Sequence, residues 1–328
     1  MRSATLFATA LLATYTTASI LPSRKPVHTR DDDDDDDNYN GTPLPLIVWH
    51  GLGDAFNGEG IQMVGELADA INPGTLFYPI ALAPDAGSDR SATFFGNVTE
   101  QIQLVCDALA AHPIISTAPA IDAIGFSQGG QFLRGYVERC NKPPQHNGIE
   151  EFKACGPVDF LCKGAMALLR FNTWSGFVQS RLVPAQYFRD VKDYQSYLDN
   201  SNFLADINNE RPFKNEQYKK NIQKLENFVM YIFKDDTTVI PKETAWFAEV
   251  ADGNVTPLHK TQSYKEDWLG LKELDRKGGL RFRTIAGDHM QITEHILNET
   301  MTQYFGPFKR TFTPEPKTER EEFVSEEL

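Results

Sequence analysis

The chain has 328 residues, 41% hydrophobic, 11% aromatic and 23% charged, which excludes wholesale disorder, a coiled coil or a collagen-like rod. Its formal charge of -13 comes from 32 Lys+Arg against 45 Asp+Glu, and the Asp run at residues 31–37 supplies seven of those negatives, leaving -6 elsewhere. That balance speaks against general attraction to nucleic acid or anionic lipid. At the N-terminus, Arg2 precedes a short apolar stretch at residues 4–13, and Thr17, Ala18 and Ser19 follow; residues 1–19 read as a cleavable signal peptide. Residues 20–43 hold Pro, basic residues and the Asp run. Like charges so dense repel and stay solvated, so a disordered acidic leader is expected. Without a shaping Gly the run does not make a calcium cage. One folded domain is expected over residues 44–310, then an acidic flexible tail over 311–328. No later segment offers 18 uninterrupted apolar residues, so no transmembrane segment is expected.

Within the folded body, strand and helix signals alternate. Residues 44–49 form an apolar run closed by Gly51 and Gly53, and residues 61–71 carry apolar positions at helical spacing. Residues 77–82 read as a strand, 98–111 as a helix ended by His112-Pro113, 120–124 as a strand and 131–140 as a helix. Strands follow at 228–233 and 280–285, and a helix at 293–301. Such alternation predicts a mainly parallel sheet with helices on both faces. Residues 165–224 break it and read as a helix-rich insertion.

Gly125-Phe126-Ser127-Gln128-Gly129 matches G-x-S-x-G, a weak signal alone. Its setting strengthens it: an apolar strand leads in and an amphipathic helix leads out, as the tight turn that exposes a nucleophilic serine requires. Such a serine needs a base, and the base an orienting carboxylate. The strand at 228–233 runs into Lys234-Asp235-Asp236, and that at 280–285 into Ala286-Gly287-Asp288-His289, the places where an acid and a base would follow the serine in chain order. Of the histidines beyond Asp236, His295 falls in a helical pattern and His259 in a polar connection, which leaves His289. The first strand feeds Trp49-His50-Gly51-Leu52-Gly53-Asp54, where a Gly-rich turn can aim the Leu52 amide at a developing oxyanion beside the amide of Gln128. His50 reads as structural. No phosphate-binding glycine loop appears, so a nucleotide cofactor has no support. The four cysteines (Cys106, Cys140, Cys155, Cys162) lack zinc-ribbon spacing and fit two disulfides in an oxidising compartment. No metal or other cofactor is expected. Sequons at Asn40, Asn97, Asn254 and Asn298 are candidate glycosylation sites, the third weakened by Pro257.

Several strings together resemble one family. Residues 47–54 and 125–134 (ending Gly130-Gln131-Phe132-Leu133-Arg134), Phe203-Leu204-Ala205-Asp206-Ile207-Asn208, Trp268-Leu269-Gly270 and Gly287-Asp288-His289-Met290-Gln291 are similar to palmitoyl-protein thioesterases, the likeness covering residues 46–307. The resemblance implies an α/β-hydrolase fold and release of long-chain acyl groups from cysteine thioesters of S-acylated proteins or peptides, in a lysosome or vacuole or after secretion. It puts a triad on Ser127, Asp236 and His289 and oxyanion donors on Leu52 and Gln128. It would pair Cys106 with Cys140 and Cys155 with Cys162. Leu52 stands where the family commonly has Met, a mild change for a backbone donor.

One departure bears on activity. The family has an apolar strand before the match to His146-Asn147-Gly148; here Asn141-Lys142-Pro143-Pro144-Gln145 follows Cys140, with no apolar run. Five residues reach at most about 18 Å, and prolines cannot donate to a ladder. The expectation is a sheet lacking one core strand after Cys140. Two rivals to the thioesterase reading follow: a secreted lipase or carboxylesterase with the same triad, and an inactive lipid-binding protein.

Overall fold

The computed structural model describes residues 41–150 and 172–310. The chain divides into Met1–Asn38 and Tyr39–Leu328, and every described residue falls in the second unit. The expected signal peptide, most of the leader, Asn40, Cys155, Cys162 and the tail lie outside the described residues.

Strand β1 (Leu46–Trp49) leads to helix α1 (Glu59–Ile71), β2 (Phe77–Pro79), a short helix α2 (Ala86–Ala92) and α3 (Val98–Ala111). Then come β3 (Ile121–Gly125), α4 (Gln128–Arg139) and β4 (Gln145–Glu150). Among the described residues five short helices follow, α5 (Gly176–Arg181), α6 (Val183–Gln186), α7 (Tyr194–Asn200), α8 (Leu204–Ile207) and α9 (Glu216–Ile222), before β5 (Asn227–Phe233). A hairpin of β6 (Glu249–Ala251) and β7 (Asn254–Thr256), then α10 (Gln262–Lys265), α11 (Leu271–Arg276), β8 (Leu280–Ile285) and α12 (Glu294–Tyr304) complete the described chain. Six strands form one sheet in the order β2-β1-β3-β4-β5-β8, with every neighbouring pair parallel.

Both faces of that sheet are covered, which is why β1 and β5 read as unbroken apolar runs. Along β1 the side chains alternate: Ile47 and Trp49 pack with Ile102, Phe132 and Tyr136 from α3 and α4, while Leu46 and Val48 pack with Val64 of α1 and Leu297 and Met301 of α12. The period of two in β5 is the same, Phe228 and Met230 on the first face, Val229, Tyr231 and Phe233 on the second. An all-parallel sheet wrapped by helices, with a sharp strand-turn-helix at β3–α4, is the α/β-hydrolase fold expected from the sequence.

The expectation of an absent core strand is corrected. Residues Gln145–Glu150 occupy the place between β3 and β5, pairing Ile121 with Gln145 and Asp122 with Asn147 on one side and Asn147–Glu150 with residues 227–230 on the other. The register slips between Ile121 and Asp122, as where an extra residue is absorbed as a bulge. The two prolines stand just ahead of the strand and serve as acceptors only: Ile121 N–H donates to Pro144 O at 2.9 Å, and the Tyr136 hydroxyl to Pro143 O at 2.9 Å. A ladder needs backbone N–H and C=O groups, which any non-proline segment brings, so a missing apolar run did not mean a missing strand.

Cys106 of α3 and Cys140, just past α4, form a disulfide, the first of the two pairs that the resemblance implied.

Candidate active site

Ser127 sits on the turn from β3 into α4 with φ 58° and ψ -128°, a left-handed conformation that costs a non-glycine residue energy and that the surroundings must enforce. They do so by close packing. A Cβ on Gly125 would lie 2.4 Å from Gly130 Cα, and one on Gly129 only 2.3 Å from Trp49 O, so neither position admits a side chain. The turn is thereby pressed against the end of β1, with the Ser127 hydroxyl in the wall of a cavity.

His289 and Asp236 come to this hydroxyl from the ends of β8 and β5. Ser127 Oγ is 3.3 Å from His289 Nε2, and His289 Nδ1 is 2.9 Å from Asp236 Oδ2. The carboxylate fixes the imidazole tautomer: Nδ1–H donates to Asp236, which leaves Nε2 as an acceptor facing the serine. Both side chains are nearly buried, at 3% and 5% exposure. Burial raises the Asp236 carboxyl above its ordinary range, a rise tempered by the amides of Val239 and Thr238, which donate to Oδ1 at 2.9 and 2.8 Å. Asp235, the neighbour, points away into solvent, its amide tied to Gly287 O. Asp288 caps the approach to His289: its carboxylate accepts from the His289 and Thr237 amides, which hold its own titration below the usual range.

The two turns that would supply amides also meet here. Leu52 lines the same cavity as Ser127, and Gln128 opens α4. Among the described residues neither of these amides has a hydrogen-bond acceptor in the protein. The cavity, about 680 Å³, is of a size typical for a ligand site. Leu52, Pro184, Tyr187, Phe188, Val191, Val239 and Ile240 give it apolar walls. Its charged side chains have partners in the wall: Arg134 donates to Asn208 at 2.6 Å and lies 5.1 Å over the Phe247 ring, and Arg189 donates to Glu210 at 2.8 Å. Tyr197 also donates to Glu210, and burial pushes its phenol pKa far up, so it stays a neutral donor.

Residues 45–289 match the model of the family described as palmitoyl protein thioesterase. The chain belongs to that family. It is 35% identical to palmitoyl-protein thioesterase 1 of Caenorhabditis elegans over 276 residues, covering 80% of this chain and 92% of that one. It is 33% identical to palmitoyl-protein thioesterase 3 of Dictyostelium discoideum, covering 68% and 78%, and 27% identical to the human lysosomal thioesterase PPT2, covering 74% and 80%. Among solved structures it is similar to an esterase of Pyrococcus furiosus, at 14% identity, 81% coverage of each chain and a TM-score of 0.42. As a palmitoyl protein thioesterase family member, the chain is a thioester hydrolase.

Each residue singled out around the elbow, the acid and the base falls at this one place. His50, read as structural, lies buried behind the elbow, with Nε2 2.9 Å from Asp89 Oδ2. Asp89 was missed, and so was the helix that carries it. Burial opposes a charge on Asp89, yet the contact with His50 and the amides of Phe56 and Leu82, at 2.8 and 2.6 Å, hold its carboxyl below the ordinary range. The available signal was Asp85, which accepts from Ser88 N–H as an N-cap. Of the sequons, Asn254 and Asn298 are exposed, whereas Asn97 caps α3, accepting from the Thr99 amide at 3.0 Å.

Proposed function

We propose that this chain removes long-chain acyl groups such as palmitate from cysteine thioesters of proteins, by an acyl-enzyme on Ser127. The observation that carries the reading is the series Asp236, His289 and Ser127, at 2.9 and 3.3 Å, ending in an apolar-walled cavity. Ser127 Oγ attacks the thioester carbonyl while His289 Nε2 takes its proton. The oxyanion gathers the amides of Leu52 and Gln128. As the C–S bond breaks, the cysteine sulfur leaves and takes the proton from His289; a thiol of pKa about 8.5 leaves far more easily than an alkoxide. Water, deprotonated by His289, then attacks the acyl-serine, releasing the fatty acid and restoring Ser127. No helix among the described residues is long and apolar enough to cross a membrane. Expected signal peptide, exposed sequons, disulfide and relatives named lysosomal all support a secretory-pathway address ending in a lysosome or vacuole.

The test is hydrolysis of matched S-palmitoyl and O-palmitoyl peptides by wild type and Ser127→Ala. Thioester cleavage that needs Ser127 supports the reading. Equal rates in wild type and variant would end it, and a strong preference for the oxygen ester would favour the carboxylesterase. With β4 in place, the ground for an inactive lipid-binding protein falls away.

A pH effect accompanies this mechanism. The Asp288 charge lies close to both Asp236 and His289 and favours their protonated forms. In Asp288→Asn, Asp236 should stay ionised, and His289 free to accept a proton, at more acidic pH. The acid limb of kcat/KM should therefore move to lower pH; an unmoved or raised limb would exclude this electrostatic role.

A further inference from the structure

Thr93, fully buried immediately after α2, touches both segments that carry the oxyanion amides. Its Oγ1 donates its single proton to Arg90 O at 2.7 Å, which turns the hydroxyl lone pairs toward Gly53, whose amide donates to Oγ1 at 2.9 Å. Gly53 has φ +78° in a turn closed by Asp54 N–H on Gly51 O at 3.3 Å, so the bond to Thr93 pins the peptide next to Leu52. The main-chain carbonyl of the same threonine accepts from Gln128 Nε2 at 3.2 Å. One residue thus joins a segment 40 positions before it to another 35 positions after it. Across the cavity, the Tyr187 hydroxyl donates to Gln128 Oε1 at 3.2 Å and completes the hold on that side chain.

We propose that Thr93 is a positioning residue that fixes the Leu52 and Gln128 amides relative to each other, so that both reach one developing oxyanion. The inference rests on the acyl-enzyme reading of Ser127. Two amides stabilise one oxygen only where each comes within about 2.7–3.1 Å of it. An error near 1 Å in such a constellation costs on the order of 10²-fold in rate. Since Thr93 itself touches no substrate, its loss should act on the chemical step and leave ground-state binding alone.

Thr93→Val keeps the shape and removes the hydroxyl; Thr93→Ser keeps the hydroxyl. For each, kcat and KM on an S-palmitoyl peptide, the rate at which a fluorophosphonate labels Ser127, and the unfolding temperature are measured. Thr93→Val should lose roughly 10- to 100-fold in kcat, with labelling slowed in step and KM nearly unchanged. Thr93→Ser should recover most of the rate. A Val variant with the wild-type kcat and labelling rate overturns the proposal, and so does a Ser variant as slow as Val. Should Thr93→Val not fold, Gln128→Met removes the other arm while keeping the amide, and an unchanged kcat there overturns the proposal equally. A wild type that labels at Ser127 yet leaves the thioester intact overturns the substrate reading alone, and the labelling rates still judge Thr93.

Discussion

Asp236→Asn is expected to keep the fold and lower kcat on an acyl thioester by about 10⁴, by analogy with loss of the orienting aspartate in serine proteases. The carboxylate oxygen 2.9 Å from His289 Nδ1 is what selects the tautomer with Nε2 free for Ser127. An amide there can turn its NH2 toward the ring, which reverses that preference and leaves a proton on Nε2 where an acceptor is needed. The adjacent Asp235→Asn should change kcat little, because its side chain is exposed and none of the described contacts ties it to the imidazole. Steady-state kinetics of the two variants, with circular dichroism to verify folding, decide the matter. The reverse ranking in two folded proteins would overturn the assignment of Asp236.

Asp89→Ala should lower stability strongly, although it lies outside the hydrophobic core. Removing it leaves His50 buried without its carboxylate partner and strips the Phe56 and Leu82 amides of their acceptors. Leaving buried polar groups without their acceptor costs about 1–3 kcal/mol for each group. The dependence on pH has a definite sign. The folded protein holds the Asp89 carboxyl below its unfolded value, so its contribution is fully present above the ordinary carboxylate range and is lost as pH falls through the folded value. Chemical denaturation should show a constant gap between wild type and variant at neutral and mildly acidic pH, closing only under strong acid. A gap that widens on acidification would contradict the pairing.

The parts of the site legible in the sequence share one property: each follows closely on a strand whose pattern shows in the sequence. Ser127 after β3, Asp236 after β5 and His289 after β8 were placed by their order behind successive strands, and the parallel sheet brings those strand ends to one edge. What was hidden depends on tertiary bonds with no periodic trace. Helix α2 has only seven residues, of which Asp89 alone is buried, so no apolar stripe announces it. The polar strand β4 was hidden for the opposite reason, since its ladder is written in the backbone. The hairpin β6–β7 was within reach: Asp252-Gly253, at φ 50° and 77°, is the dipeptide favoured in a tight two-residue hairpin turn.

The bond between Cys106 and Cys140 encloses β3, the elbow and α4 in a covalent ring, its ends 34 positions apart. Ser127 is therefore a member of a macrocycle, while Asp236 and His289 join it from outside. Closing a ring of this size removes unfolded conformations worth roughly 3–5 kcal/mol in the chain-entropy account. The serine end of the site thus owes part of its stability to the redox state of the compartment in which the chain was made. The same amino acids folded among reduced thiols would lose that margin and unfold more readily.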